Sequence, residues 1–195
     1  MSPSDVRESA TFLEAVFPAC RDAQASLTVA DCGAGVGRVT EHLLLRYFHA
    51  VDLVEPVQHY LTAAEEKLAP LAKEAEPPRA VRYLCEPLQD WSPDRGRYDV
   101  VWIQWCVGHL TDDDLISLLH RCSAGLKRGG LIVMKENNCK EGFIVDKDDS
   151  SLTRSHEYFL ALFARAKMSV LKVKLQRNFP SELFAVRMYA LRPET

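Results

Sequence analysis

The sequence predicts an α/β fold, with a seven-stranded, mostly parallel sheet, helices on both faces and an antiparallel C-terminal hairpin at one edge. Three observations carry this expectation. Short apolar runs alternate with amphipathic stretches, the pattern of parallel strands joined by helical crossovers. The first run stops at a glycine loop, Asp31-Cys32-Gly33-Ala34-Gly35-Val36-Gly37-Arg38. The last two runs follow one another without a helical stretch between them.

Taken in order, residues 5–19 place Val6, Phe12, Leu13, Val16 and Phe17 near helical spacing and predict an opening amphipathic helix. Leu27 to Ala30 leads into Asp31 as a short buried strand. Val36 to Phe48 reads as a helix, Val51 to Glu55 as a second strand ended by Pro56, and Val57 to Leu68 as a second crossover helix. Residues 70–78 begin and end with proline and are expected to form a charged connection. Val81 to Cys85 gives the third strand. Tyr98 to Gln104, reading YDVVWIQ, gives a fourth that is apolar enough to be covered on both faces. Thr111 caps the next helix, with Asp112, Asp113 and Asp114 in its first turn, and Arg128-Gly129-Gly130 precedes strand Leu131 to Lys135. A helix from about Thr153 to Lys167 follows, then strands Ser169 to Leu175 and Leu183 to Leu191, joined by Arg-Asn-Phe-Pro-Ser. Seven strands ending in such a hairpin match the class I methyltransferase sheet, a Rossmann-like arrangement, better than a standard dinucleotide fold.

A chain of 195 residues suits a single domain with a substantial core. A net charge of -3 argues against bulk attraction to nucleic acid or anionic membranes and leaves room for a local acidic site. No apolar run reaches the roughly 18 residues of a membrane span. The six cysteines contain no Cys-x-x-Cys pair and the six histidines no metal-type pairing with them, so no metal site is expected. The thiols read as reduced core fillers of an intracellular protein.

The glycine loop lies where a first strand meets a first helix, a position where glycine permits positive φ and close approach of a ligand. Its spacing is Gly-x-Gly-x-Gly with an acid just before it, not the Gly-x-Gly-x-x-Gly that seats a pyrophosphate on a helix N-terminus. S-adenosylmethionine carries no phosphate, and Asp31 is suited to its ammonium, though the same residue also reads as a helix cap. Glu55 ends the second strand, where a carboxylate accepts both ribose hydroxyls of either cofactor. Pro56 and Val57 are placed to flank the ribose, Leu88 and Gln89 to edge the adenine, and Gln104 to lie beneath the methionine portion.

Segments 31–38 (DCGAGVGR), 88–91 (LQDW), 98–112 (YDVVWIQWCVGHLTD), 135–137 (KEN) and 141–151 (EGFIVDKDDSS) together resemble the protein α-N-terminal methyltransferases that modify Xaa-Pro-Lys/Arg N-termini. The likeness runs from about residue 5 to residue 192. It implies S-adenosylmethionine as cofactor, with Gly33, Arg38, Glu55, Leu88, Gln89 and Gln104 at contact positions. Glu55 stands where an aspartate is common. It also implies a peptide channel lined by Trp105, His109, Asn137, Asp146, Asp149 and Ser151. Phe184 stands where relatives have a tyrosine beside the substrate, which removes one hydroxyl.

These residue types suit that chemistry. The acceptor must be a neutral amine, and with a pKa of about 7.7–8.0 roughly a tenth to a fifth of an α-amino group is already neutral at pH 7. His109 and Asp149 are the candidate bases, directly or through water. Asn137 is placed to aim the amine lone pair, which is catalysis by positioning. Trp105 offers a flat wall and a cation–π face. Asp146 and Asp149 suit the cationic third residue of the substrate, and proline at its second position keeps the peptide extended; Asp149 serves the cation, the amine or both.

The resemblance further implies residence in the nucleus and cytoplasm. It also implies a covering stretch ahead of the opening helix in relatives, and this chain begins at about the point where the shared domain starts, so that lid is expected to be missing or supplied otherwise. Other readings of the same sheet are a small-molecule methyltransferase and a weakly active cofactor-binding regulator associated with a full-length related methyltransferase. An NAD-dependent oxidoreductase stands behind these.

Overall fold

The computed structural model describes residues 3–22, 24–177 and 183–194. Its main sheet has the strand order β3-β2-β1-β4-β5-β9-β8, built from β1 (Thr28–Cys32), β2 (Ala50–Val54), β3 (Ala80–Leu84), β4 (Tyr98–Gln104), β5 (Leu126–Asn138), β8 (Met168–Leu175) and β9 (Ala185–Pro193). β1 pairs in parallel with β2 and β4, β2 with β3, and β4 with β5. β9 returns antiparallel between β5 and β8. The expected hairpin is therefore present, while its connection, from Asn178 to Glu182, lies outside the described residues.

Burial explains why β4 has no polar face. Val100 and Trp102 pack into one core with Phe12, Leu43 and Leu61, while Val101 and Ile103 pack into a second with Leu118 and Phe159. The first core lies under helices α1 (Pro3–Val16), α2 (Leu45–Tyr47) and α3 (Gln58–Glu74). The second lies under α4 (Asp112–Gly125) and α5 (His156–Arg165). Each face of the sheet therefore has its own apolar layer. Strand order reverses between β1 and β4, and the crevice outside their C-terminal ends is where open α/β sheets bind ligands.

Several boundaries differ from the sequence expectation, each for a physical reason. α1 ends at Val16 because the residue before a proline disfavours the helical region; Phe17 turns to φ -136, ψ 71 and Pro18–Arg21 form a separate 3-10 turn. α3 runs through Pro70 into the stretch expected to be a connection, since Leu68 and Ala72 continue its buried stripe and Pro70 sits on the exposed side. The helix after the glycine loop passes through a π-helical segment, Thr40–Leu44, before the single α turn of α2.

The largest departure lies in residues 143–154. β6 (Phe143–Asp146) and β7 (Ser151–Arg154) form a second, two-stranded antiparallel sheet. α5 begins only after it, capped by Ser155, whose hydroxyl accepts the Tyr158 N–H at 3.2 Å. Four thiols are buried as expected, but Cys85 is exposed and Cys106 only half-buried. Among the described residues no helix is long and apolar enough to cross a membrane.

Candidate active site

The glycine loop leaves β1 with φ values of +66 at Gly33, +55 at Gly35 and +74 at Gly37, a region L side chains rarely enter. Packing adds to this at two of the three. A β carbon on Gly33 would lie 2.4 Å from Cys106 Cβ, and one on Gly37 would lie 2.7 Å from Leu68 Cδ1. One on Gly35 would meet nothing within 4 Å. Gly33 and Gly37 are thus fixed by the fold, while Gly35 is the open face of the loop.

Glu55 ties this loop to the end of β2. One carboxylate oxygen accepts the Gly35 N–H at 2.9 Å and the other accepts the Val57 N–H at 3.1 Å. Each oxygen keeps a lone pair, so the group can still receive a diol. Asp31 is more deeply placed, at 1% exposure. Burial pushes its carboxyl up to about 7 against the opposing hydrogen bonds from Thr40, and the Glu55 charge adds to the rise. The Thr40 hydroxyl donates to it at 2.7 Å from the π-helical turn. Asp31 therefore holds the start of the helix from beneath the loop.

A cavity of about 350 Å³ opens over the loop, bordered by Gly33, Gly35, Arg38, Tyr60, Gln104 and Trp105. Gln104 is buried; its Oε1 accepts the Trp102 indole N–H at 3.0 Å, while its Nε2 has no partner among the described residues. An unpaired buried donor on a residue that borders a cavity is a place for a ligand oxygen or nitrogen. Arg38 supplies an exposed cation at the rim. This donor set, with an acid at Glu55, fits an amino-acid carboxylate and a ribose. Pro56 is exposed and Val57 half-buried beside Glu55. Leu88 is buried, its carbonyl accepting Arg121 at 2.7 Å, and Gln89 is exposed; neither borders this cavity.

Trp105 also borders this cavity. It sits at φ 53 with its N–H donating to the Lys135 carbonyl at 3.1 Å. Beneath the ring, Lys135 is fully buried, paired with Asp5 and donating to Ser9 Oγ at 2.9 Å, both on α1. Burial draws the Lys135 pKa down, opposed by Asp5.

A second cavity of about 360 Å³ lies beyond the end of β5, bordered by Asn137, Asp146, Asp148, Asp149, Ser151 and Phe184. Five of the residues singled out for substrate in the sequence therefore share one cavity. Arg154 makes this possible. Almost fully buried, it donates to Asp112 at 2.9 Å and to the carbonyls of Val107 and Leu110 at 3.1 and 2.7 Å. It thereby clamps the β6–β7 hairpin to the turn after β4. Gly108 lets the two backbones close, since its β carbon would lie 3.2 Å from the Leu152 carbonyl. His109 is exposed at the end of the 3-10 turn Val107–His109 and borders neither cavity.

Four further residues belong to the site without having been read from the sequence. Tyr60 gave a weak signal, an aromatic in the first turn after the Glu55 strand end. Cys106 packs against Gly33, Lys135 supports Trp105, and Glu136 accepts the Asn137 N–H at 2.9 Å. Burial lifts the Glu136 carboxyl to about 7, opposed by the backbone N–H groups around it.

The sheet order, its terminal hairpin, the glycine-loop cavity at the first strand end and the likeness to a solved SAM-dependent methyltransferase define a class I S-adenosylmethionine-dependent methyltransferase. The sequence model of one family of these, described as AdoMet dependent proline di-methyltransferase, matches residues 1–192. The chain belongs to that family. Alpha N-terminal protein methyltransferase 1 of Oryza sativa subsp. japonica is 49% identical over 195 residues, covering 97% of this chain. The chain spans only 62% of that rice protein's length. N-terminal Xaa-Pro-Lys N-methyltransferase 1 of Danio rerio is 42% identical over 192 residues, covering 98% of this chain and 84% of the relative. Among solved structures, a SAM-dependent methyltransferase from Leishmania major superposes with a TM-score of 0.85 at 34% identity, covering 97% of this chain and 72% of that one.

Proposed function

We propose that this chain methylates the α-nitrogen of proteins whose exposed N-termini read Xaa-Pro-Lys or Xaa-Pro-Arg. The observation that carries the reading is the adjacency of the two cavities. Gln104 and Trp105 border the loop cavity from the end of β4, and Gln104 pairs in register with Lys135 on β5. Asn137 borders the acidic cavity two residues further along β5. One inter-strand step of about 4.8 Å and two residues of about 3.3 Å separate them, so a donor in one cavity and an acceptor in the other lie within reach. The activity named for the Danio rerio relative supports the same substrate class.

S-adenosylmethionine supplies a methyl group on a positively charged sulfur. Glu55 would hold the ribose hydroxyls, Arg38 the carboxylate, and Gln104 would offer its unpaired N–H donor to the amino-acid portion. Across the strand ends, the substrate amine must present a lone pair. Asn137 accepts one amine hydrogen and fixes the direction of that lone pair. With the cofactor bound, its methyl would pass to the amine nitrogen, and Asp149, which borders the same cavity as Asn137, is placed to take the proton the nitrogen gives up. Asp146 and Asp149 attract the lysine or arginine at position three, and the fixed φ of proline keeps the intervening chain extended.

The test is mass spectrometry of a Ser-Pro-Lys-Arg peptide incubated with protein and S-adenosylmethionine. Successive single-methyl increments confined to the N-terminal residue are expected, with none on the N-acetylated peptide. Asn137→Ala should lower turnover on the order of a hundredfold while leaving S-adenosylhomocysteine affinity unchanged. Cofactor binding by the wild type without methylated product overturns the reading.

A further inference from the structure

We infer that the substrate chain beyond its third residue lies in a separate, larger cavity on the far side of a ridge formed by Ile144 and Phe184. The inference rests on the proposed methylation of protein N-termini and extends its substrate site. The cavity is about 980 Å³, more than the loop and acidic cavities combined, and Asn138, His156, Leu183 and Arg187 contribute to its lining. Ile144 and Phe184 border both it and the acidic cavity. The two spaces therefore adjoin at these side chains.

Length and surface chemistry both point to an extended peptide. Phe184 directly precedes Ala185, which pairs with Asn138, so a substrate whose amine lies at Asn137 and whose extended residues rise about 3.3 Å each reaches the ridge within its first four residues. The ridge is apolar and open. Ile144 is 48% exposed, Phe184 41% and neighbouring Leu183 57%, a cluster of the kind that marks a binding surface more than scattered surface residues do. β6, which carries Ile144, pairs only with β7 among the described residues, leaving its second edge without a strand partner.

The lining residues are also joined by hydrogen bonds of their own. Asn138 Oδ1 accepts the Tyr189 hydroxyl at 3.1 Å and Arg187 Nη1 at 3.3 Å, and the Tyr189 oxygen lies 3.1 Å from His156 Nδ1. Arg187 forms no ion pair among the described residues. Its other guanidinium donors are thus available to main-chain carbonyls of a chain crossing the ridge. Such a site rewards chain length more than any one side chain.

The experiment compares a Ser-Pro-Lys tripeptide amide with a peptide of about nine residues sharing that start. In the wild type, lengthening should lower KM on the order of tenfold, with kcat little changed. Arg187→Gln and, separately, Leu183→Ser should methylate the tripeptide with wild-type KM while reducing the gain from length to less than about threefold. Unchanged S-adenosylhomocysteine affinity confirms that each variant is folded. Equal KM for the two peptides in the wild type, or a full length gain in both variants, overturns the inference. Failure to methylate either peptide instead overturns the proposed function, and the inference with it.

Discussion

Lys135 lies directly beneath Trp105. Its Nζ is 5.5 Å from the centre of the indole ring, and its own carbonyl accepts the Trp105 N–H. The same ammonium pairs with Asp5, so α1, the end of β5 and a wall of the loop cavity share one buried cation. Lys135→Met should destabilise the protein by about 3–5 kcal/mol, because it leaves the Asp5 carboxylate buried without its cation. The double variant Asp5→Leu with Lys135→Met should recover most of that loss. Urea unfolding provides the measurement, and a single-variant loss below about 1 kcal/mol would contradict the assigned pairing.

The loop glycines should respond unequally to the same substitution. Gly33→Ala drives a methyl group into Cys106, whereas Gly35→Ala places one in open space and carries only the strain of its positive φ, about 1–2 kcal/mol. The expected result is loss of S-adenosylhomocysteine binding and a clear fall in Tm for Gly33→Ala, with a smaller fall in Tm for Gly35→Ala. Cys106→Gly in the Gly33→Ala background removes the atoms in the way and should restore part of the Tm. Calorimetry decides between this steric account and a general intolerance of loop substitution.

That difference marks how far the sequence could be read. The spacing of Gly33, Gly35 and Gly37 announces a loop that binds a nucleoside, but nothing in it says that Cys106 is what makes Gly33 obligatory. Strands and crossover helices were legible because buried runs such as 98–104 and stripes such as Leu61, Ala64 and Leu68 have clear periods. The β6–β7 hairpin was not. All four residues of β6 are exposed, so no inside–outside alternation distinguishes it from the loop its Asp-Lys-Asp-Asp-Ser turn suggests. Pro70 misled for the opposite reason: a helix whose far side is solvent accepts a proline there, with Ala72 still buried below it. Lys135 and Glu136 look like surface charges by residue type, and only the fold shows their partners.

Asp31 gives stability a direction with pH. Its native carboxyl is pushed up to about 7 by burial, while the unfolded group titrates near 3.9. Between these values the native state holds the extra proton, so this group's contribution to stability is full below about 3.9, falls as pH rises, and levels off above 7. Asp31→Asn keeps an acceptor for the Thr40 hydroxyl and cannot ionise. Its stability relative to wild type should therefore improve by on the order of 2–4 kcal/mol between pH 4.5 and pH 7.5. Denaturant unfolding of both proteins at the two pH values tests this, and a pH-independent difference would show that Asp31 is ionised in the native state. Glu136, also lifted to about 7, contributes in the same direction in both proteins and cancels from the comparison.

Arg154 is where the fold and the acidic cavity meet. The acidic residues lie on an exposed hairpin that contributes little to either core, so something else must hold that hairpin over the end of β5. Arg154 does so through Asp112 and two main-chain carbonyls of the turn that follows β4. Arg154→Met keeps the aliphatic bulk but leaves those carbonyls and a half-buried carboxylate without their donor, at a cost of about 3 kcal/mol. The effect on function should exceed the effect on stability. With the clamp gone, Asp146 and Asp149 no longer stay beside Asn137, so KM for an Xaa-Pro-Lys peptide should rise on the order of a hundredfold. S-adenosylhomocysteine affinity should change little, because the glycine loop and Glu55 do not contact Arg154 in the hydrogen-bond network. Hydrogen exchange separates this account from simple unfolding: residues 143–154 should lose protection first, with β1 and β4 still protected. Uniform loss of protection across the sheet would make Arg154 a general stabiliser and would remove its role in placing the acidic residues.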